Sequence, residues 1–268
     1  MSATVQEFDI RRYQQGRATE LVDRVAVEEP LEIRLAGEPF QVLMRLPGWE
    51  KELAAGFLFT EGIIRNLADI ITLHFCGTAT DPTLPPNVVD VRLTPEAMAR
   101  TGRRHLEVAY SSCSLCAKEA VAEIVTRMPP VKSGLTLPPP ALPALMDRLA
   151  AAQTVFKETG GVHGVALASP DGQIFIMAED IGRHNAMDKA IGRALMERRD
   201  FGGLAALLSG RISFEMALKA ARAGIPILAA VSAPTSMALA LAEEMHLTLA
   251  GFVRGGKMNV YTHPERIE

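Results

Sequence analysis

Apolar and polar residues alternate in short runs through the first part of the chain. Val25 and Val27, then Leu31, Ile33 and Leu35, then Phe40, Val42 and Met44 follow the period of two expected of half-buried strands, broken by Glu29-Pro30 and Gly37-Glu38-Pro39. After Pro47-Gly48 the period changes. Leu53, Ala54, Phe57 and Leu58 share one helical face, and Gly62 is placed to end that helix. Positions 70–75 and 88–93 read as two further strands around a proline-rich loop at 81–86. Val121, Ile124, Val125 and Met128 then recur at helical spacing until Pro129-Pro130 stops them. These elements predict a small α+β domain over residues 21–136, preceded by a tail at 1–20.

A stiff proline linker at 137–143 marks the boundary to a second domain, 137–268, with a different rhythm. Leu145, Leu149, Ala152 and Phe156 predict one helix face ended by Gly160-Gly161. Positions 162–168 and 173–178 read as a strand pair joined across Ser169-Pro170-Asp171-Gly172. Helices at about 185–196, 213–222 and 236–245 then alternate with apolar strands at 204–208, 225–231 and 247–253. That alternation predicts an α/β domain whose sheet contains parallel strands, with helices on both faces.

Composition narrows the classes. The 268 residues are 48% hydrophobic and carry 28 Lys+Arg against 31 Asp+Glu, a formal charge of −3. Such a chain can bury a proper core, and it has no polybasic field to hold a nucleic-acid duplex. Three cysteines, Cys76, Cys113 and Cys116, are too few for a secreted disulfide framework. No signal-peptide pattern opens the chain and no apolar run approaches the ~20 residues of a membrane span, so a cytoplasmic protein is expected.

The sharpest chemical signal is Ser111-Ser112-Cys113-Ser114-Leu115-Cys116-Ala117-Lys118. Two thiols at C-x-x-C spacing open a helix, where spare N–H donors and a lysine one turn in favour thiolate over thiol. A structural zinc half-site is the bland alternative, but no second C-x-x-C exists, and His74 with Cys76 is poor ligand spacing. A thioredoxin-type site is the other rival, but the pair does not follow a first βαβ strand. Reactive sulfur chemistry is the preferred reading.

A second signal, Glu179-Asp180-Ile181-Gly182-Arg183-His184-Asn185-Ala186-Met187-Asp188-Lys189, gathers charge at a strand-to-helix turn. Asn185 as N-cap with Asp188 three residues on would explain much of it, and a binding loop around Gly182 and His184 the rest. The loops Ser209-Gly210-Arg211-Ile212-Ser213, Ser232-Ala233-Pro234-Thr235-Ser236 and Arg254-Gly255-Gly256-Lys257 follow later strands. In an open α/β sheet they would line one crevice, with hydroxyls, glycines and cations suited to a phosphate-bearing ligand. Neither a P-loop nor a dinucleotide fingerprint is present. His163 is at most a contact to such a ligand.

Ser111 to Lys118 and Glu179 to Lys189, with Glu52 to Ile64, Lys157 to His163, Ser209 to Glu215 and the tail from Gly251 to His263, resemble the formate dehydrogenase accessory sulfurtransferase family, FdhD, over nearly the whole chain after about residue 20. The resemblance implies a cytoplasmic sulfurtransferase that takes a persulfide sulfur from a cysteine desulfurase and passes it to the molybdenum cofactor of formate dehydrogenase. It implies that Cys113 carries the persulfide and Cys116 assists. It also implies that Phe252, Val253, Arg254, Gly255, Gly256 and Lys257 contact the bis(molybdopterin guanine dinucleotide) form of the cofactor, bound as substrate, with no catalytic metal of the protein's own. A homodimer is left open. The family's C-terminal domain looks like the three-layer α/β/α cytidine deaminase fold, but here His163-Gly164-Val165 lacks the H-x-E of true deaminases and no cysteine follows Cys116. Where the family usually has glycine after each cysteine, this chain has Ser114 and Ala117. The competing reading is a non-catalytic chaperone that binds the cofactor and the apo-dehydrogenase.

Overall fold

The computed structural model describes residues 4–76, 87–102 and 128–268, with the Cys76 side chain outside that set. The proline-rich loop at 81–86 and the helix expected after Cys116 lie outside the described residues.

The stretch read as a tail contains strands. β1 (Val5–Gln14) and β2 (Arg17–Ala26) pair antiparallel over their full lengths as a separate two-stranded ribbon. Gln15 and Gly16, both at positive φ (50° and 78°), close it with the left-handed pair that a two-residue hairpin needs. The period of two was present but hidden, because charged residues occupy both faces of the ribbon.

The next sheet follows the expected elements. β3 (Glu29–Leu35), β4 (Glu38–Arg45), β5 (Ile70–Cys76) and β6 (Val88–Leu93) lie in the order β4-β3-β6-β5, with β3 and β6 parallel. Alternate residues Leu31, Ile33, Leu35, Val89 and Val91 face α1 (Glu50–Thr60), which contributes Leu53, Ala54, Phe57 and Leu58 to one core. A short helix, α2 (Pro95–Thr101), begins where Thr94 Oγ1 accepts the Ala97 N–H at 3.3 Å.

The helix expected up to Phe156 is two helices. α3 (Ala141–Ala152) and α4 (Thr154–Thr159) meet at Gln153, where ψ of 89° breaks the helical path. The break is packed in: Gln153 is 4% exposed, and a Cβ on Gly164 would lie 2.7 Å from its Cδ.

A six-stranded sheet follows. β7 (His163–Ala168), β8 (Ile174–Asp180), β9 (Ala205–Leu208), β10 (Ile227–Ala230), β11 (Thr248–Arg254) and β12 (Lys257–Val260) lie in the order β12-β11-β10-β9-β7-β8. The central β9, β10 and β11 are parallel, while β7, β8 and β12 run antiparallel to their neighbours. α5 (Arg183–Met196), α6 (Phe214–Ala223) and α7 (Ser236–Glu244) cover one face through Ala186, Ala190, Ala217, Ala220 and Leu241. α3 covers the other through Leu142, Leu145, Met146 and Leu149, so the unit has three layers. β12, absent from the sequence reading, is a four-residue strand that folds back from β11.

One helix crossing ties the two sheets together. A Cβ on Gly56 of α1 would sit 1.8 Å from the Asp188 carbonyl oxygen, and one on Gly192 of α5 would sit 1.9 Å from that of Glu52. The backbones touch, and only glycine leaves room for it. Around the crossing, Lys219 Nζ donates to both Asp188 carboxylate oxygens (2.8 and 2.9 Å) and Thr60 Oγ1 donates to Oδ1 at 2.7 Å. Burial pushes the Asp188 carboxyl up, and Lys219 and Thr60 pull it back. A second buried pair, Lys189 with Asp180 at 2.7 Å, also holds Leu46: Nζ donates to its carbonyl at 2.8 Å and its N–H donates to Asp180 Oδ2 at 3.2 Å.

Candidate functional site

Because β9, β10 and β11 are parallel, the loops leaving their C-terminal ends open at one edge of the sheet. β7 enters at that same edge, since it runs antiparallel to β9 with Val165 opposite Leu208. Gly164 N–H donates to Ser209 Oγ at 2.8 Å and Ser209 N–H to the Gly164 carbonyl at 3.0 Å, which fixes the first loop beside His163. Gly210 packs against the imidazole: a Cβ there would make ordinary contacts, 3.4 Å from His163 Nδ1 and 3.9 Å from Arg183 Cδ.

Two helices start at this edge without side-chain caps. α5 is preceded by Gly182 in an extended conformation, and α6 by Ser213, whose hydroxyl makes no capping bond. Their first N–H groups are therefore available to an anion, and the helix dipoles add to the pull. Asn185 is thus not the N-cap. It sits inside the first turn of α5 and its Nδ2 donates to the Met44 carbonyl at 2.7 Å and to Asp180 Oδ1 at 3.0 Å. α7 differs in that Thr235 Oγ1 caps it through the Ala238 N–H at 3.3 Å.

His184 Nε2 lies 2.7 Å from a Glu215 carboxylate oxygen, joining the first turns of α5 and α6. That contact, with Arg183 and Lys219 nearby, holds the Glu215 carboxyl below the usual range against partial burial. Burial above all, then repulsion from Arg183 and His184, lowers the His163 imidazole. His163 is accordingly a neutral group at physiological pH, able to donate or accept one hydrogen bond.

The last pair between β11 and β10 is Ala250 with Ala229, so residues 251–254 run on past the sheet edge. Gly251 is required there, because a Cβ would lie 2.9 Å from Pro234 Cδ and 3.1 Å from the Ser232 carbonyl. Phe252, at φ 53°, donates its N–H to Ser232 O at 3.2 Å, and the residue is 39% exposed. Arg254 pairs with Lys257 across Gly255 and Gly256, whose φ values of 57° and 73° make a left-handed two-residue tip. Of the residues expected to hold the cofactor, Phe252, Arg254, Gly255, Gly256 and Lys257 are exposed on this hairpin, and Val253 is turned into the core against α3.

The charged segment 179–189 does not act as one loop. Glu179 accepts the N–H groups of Val155 and Phe156 (3.0 and 2.9 Å) and so caps α4. Asp180, Asn185, Asp188 and Lys189 face the junction with the first sheet, leaving Gly182, Arg183 and His184 at the open edge. Lys219 was missed by sequence reasoning, although a lysine on the apolar face of Met216, Ala217, Ala220 and Ala223 is the mark of a buried charge. Cys113 and Cys116 lie outside the described residues. Among those described, no group of three or more His, Cys, Asp and Glu is placed to hold a metal ion, and no helix is long and apolar enough to cross a membrane.

Comparison with known proteins completes the picture. The model of the FdhD/NarQ family matches residues 26–268. The chain belongs to the FdhD/NarQ family. It is 43% identical to the sulfur carrier protein FdhD of Streptomyces avermitilis, over 100% of this chain and 97% of that one. It is 42% identical to the sulfur carrier protein FdhD of Mycobacterium tuberculosis, over 96% and 97%. The Nocardia farcinica protein of the same name is 47% identical, over 91% and 88%. Among solved structures, a formate dehydrogenase accessory protein from Desulfotalea psychrophila superposes with a TM-score of 0.80 at 27% identity, covering 99% of this chain and all of the other. Family membership and the mixed α/β architecture are thus shared along the whole length.

Proposed function

We propose that this chain is a sulfur carrier in the maturation of formate dehydrogenase. What carries the reading is identity of 42–47% over nearly full length to proteins named sulfur carrier protein FdhD. In this reading Cys113 is the carrier. Its thiolate attacks the outer sulfur of a cysteine desulfurase persulfide, the S–S bond to the donor breaks, and a new persulfide forms on Cys113 with the donor leaving as thiolate. Cys116 assists, and the sulfur passes in the cytoplasm to the molybdenum cofactor, bound as substrate in its guanine-dinucleotide form.

The sheet edge supports the second half of this reading. The uncapped starts of α5 and α6 supply N–H donors, Arg183 and Arg211 supply charge, and the 252–257 hairpin stands beside them with Phe252, Arg254 and Lys257 exposed. Together they suit a ligand with a flat base and several phosphates. We read the three-layer unit as a deaminase-type architecture used without deaminase chemistry, since the ligands of a deaminase zinc site are absent from this sequence.

Intact-mass measurement without reductant, after incubation with a cysteine desulfurase and cysteine, tests the carrier role. One added sulfur, removed by reductant and lost in Cys113→Ala, is expected. A folded wild type that gains no sulfur from a competent donor would instead favour a chaperone that binds the cofactor and the apo-dehydrogenase.

A further inference from the structure

The hairpin of β11 and β12 carries an exposed aromatic residue, Tyr261, outside the 252–257 segment expected at the cofactor. Its placement follows from the sheet. β11 sends Leu249 into the core under α5, α6 and α7, and sends Ala250 and Val253 towards α3. Strict alternation would turn Ala250 and Val253, three residues apart, to opposite faces. One extra residue is therefore fitted between them, and Phe252, at φ 53°, takes up the bulge. On the returning strand Met258 also faces α3. Alternation then puts Lys257, Asn259 and Tyr261 on the other face, with Asn259 paired to Gly251 and Lys257 to Arg254. Tyr261 continues this ladder, its N–H donating to Leu249 O at 2.9 Å. One face of the hairpin is thus packed, while the other is cationic at the tip and aromatic at the base.

The tyrosine is held in place. A Cβ on Gly251 would lie 3.1 Å from Tyr261 Cε2, so the ring rests on the glycine backbone. Asn259 Nδ2 donates to Tyr261 Oη at 3.4 Å along the same face. Even so, Tyr261 is 37% exposed. An aromatic ring fixed on one side and open to water on the other suits the stacking of a purine. Little side-chain freedom is left to lose when the base arrives. Lys257 and Tyr261 stand four residues apart on one strand face, about 13 Å. An extended nucleoside diphosphate covers that separation from its base to its terminal phosphate. Arg254, opposite Lys257, adds a second cation at the phosphate end.

Resting on the nucleotide-ligand reading above, we propose that Tyr261 is a base-binding residue of this site. A guanine base of the ligand stacks on its ring, and the attached pyrophosphate reaches Arg254 and Lys257. Calorimetric titration of the full chain with guanosine diphosphate and with inorganic pyrophosphate separates the base from the phosphates. Tyr261→Leu keeps an apolar cover over Gly251 and removes the aromatic face. It should weaken guanosine diphosphate about tenfold and leave pyrophosphate unchanged. Tyr261→Phe keeps the ring and should bind guanosine diphosphate within about twofold of wild type. Arg254→Ala should instead weaken both ligands together. Thermal melts check that each variant is folded, and Tyr261→Met serves for the same comparison if the leucine variant melts early. Unchanged guanosine diphosphate affinity in Tyr261→Leu overturns the proposal. So does an equal loss for both ligands, which would make the ring a brace for the hairpin. A wild type that binds neither ligand overturns the nucleotide reading itself, and this proposal with it.

Discussion

The helix junction and the open sheet edge draw on the same short segment and treat its charges in opposite ways. At the junction, Asp180, Asp188 and Lys189 are sealed from water and fully engaged with Leu46, Thr60 and Lys219. At the edge, one turn away, Arg183 and His184 stay half exposed beside two helix starts that lack caps. Helix α5 divides the residues by face, so one side fastens the sheets and the other is left for a ligand. Charge in a strand-to-helix turn is therefore not by itself a sign of binding; the side of the helix decides.

Variants can test that division. The largest effect is expected from Gly56→Val, because the new side chain must displace a backbone carbonyl rather than a flexible neighbour. A loss of about 5 kcal/mol or more, enough to prevent folding, should be seen in denaturant melts. Next comes Lys219→Met, which strands Asp188 as a buried unpaired charge at a cost of about 3–5 kcal/mol. Adding Asp188→Leu should return most of the lost midpoint. On the edge, Arg254→Ala and Lys257→Ala should leave melting unchanged and each weaken guanosine diphosphate binding about tenfold by calorimetry. Equal affinity in both would remove the hairpin from the ligand site.

The smallest effect concerns His163. Its imidazole is held below its ordinary value of 6.5, so the unfolded chain takes up the proton more readily than the folded one. Stability should then decline as pH falls below 6.5, and His163→Gln should flatten that decline in melts across the acid range. The Asp188 carboxyl, pushed up by burial, should contribute with the opposite sign.

Most strands and helices were legible because their faces are cleanly apolar, as in Leu31, Ile33 and Leu35 or Leu53 to Leu58. The ribbon was not, since its apolar residues share their faces with charges. Gln153 hid a break inside a continuous periodic pattern, because the reason for it lies across space at Gly164. The gathering of His163, Gly210, Arg183, His184 and Glu215 was foreshadowed by loops following successive strands. The Asp188–Lys219 pair was not foreshadowed, because the partners sit on different helices, and the apolar face around Lys219 marks its burial without naming its partner.

The contact of Gly56 with Gly192 also constrains how the molecule comes apart. α1 completes the core of the first sheet and at the same time covers α5 of the second, so neither sheet can open without stripping the other. Heat should melt both in one calorimetric transition, with van't Hoff and calorimetric enthalpies equal. Amide hydrogens in the middle of α1 and α5 should exchange only through global opening, at the same free energy in both helices. A protease would then meet the two sheets either intact together or lost together.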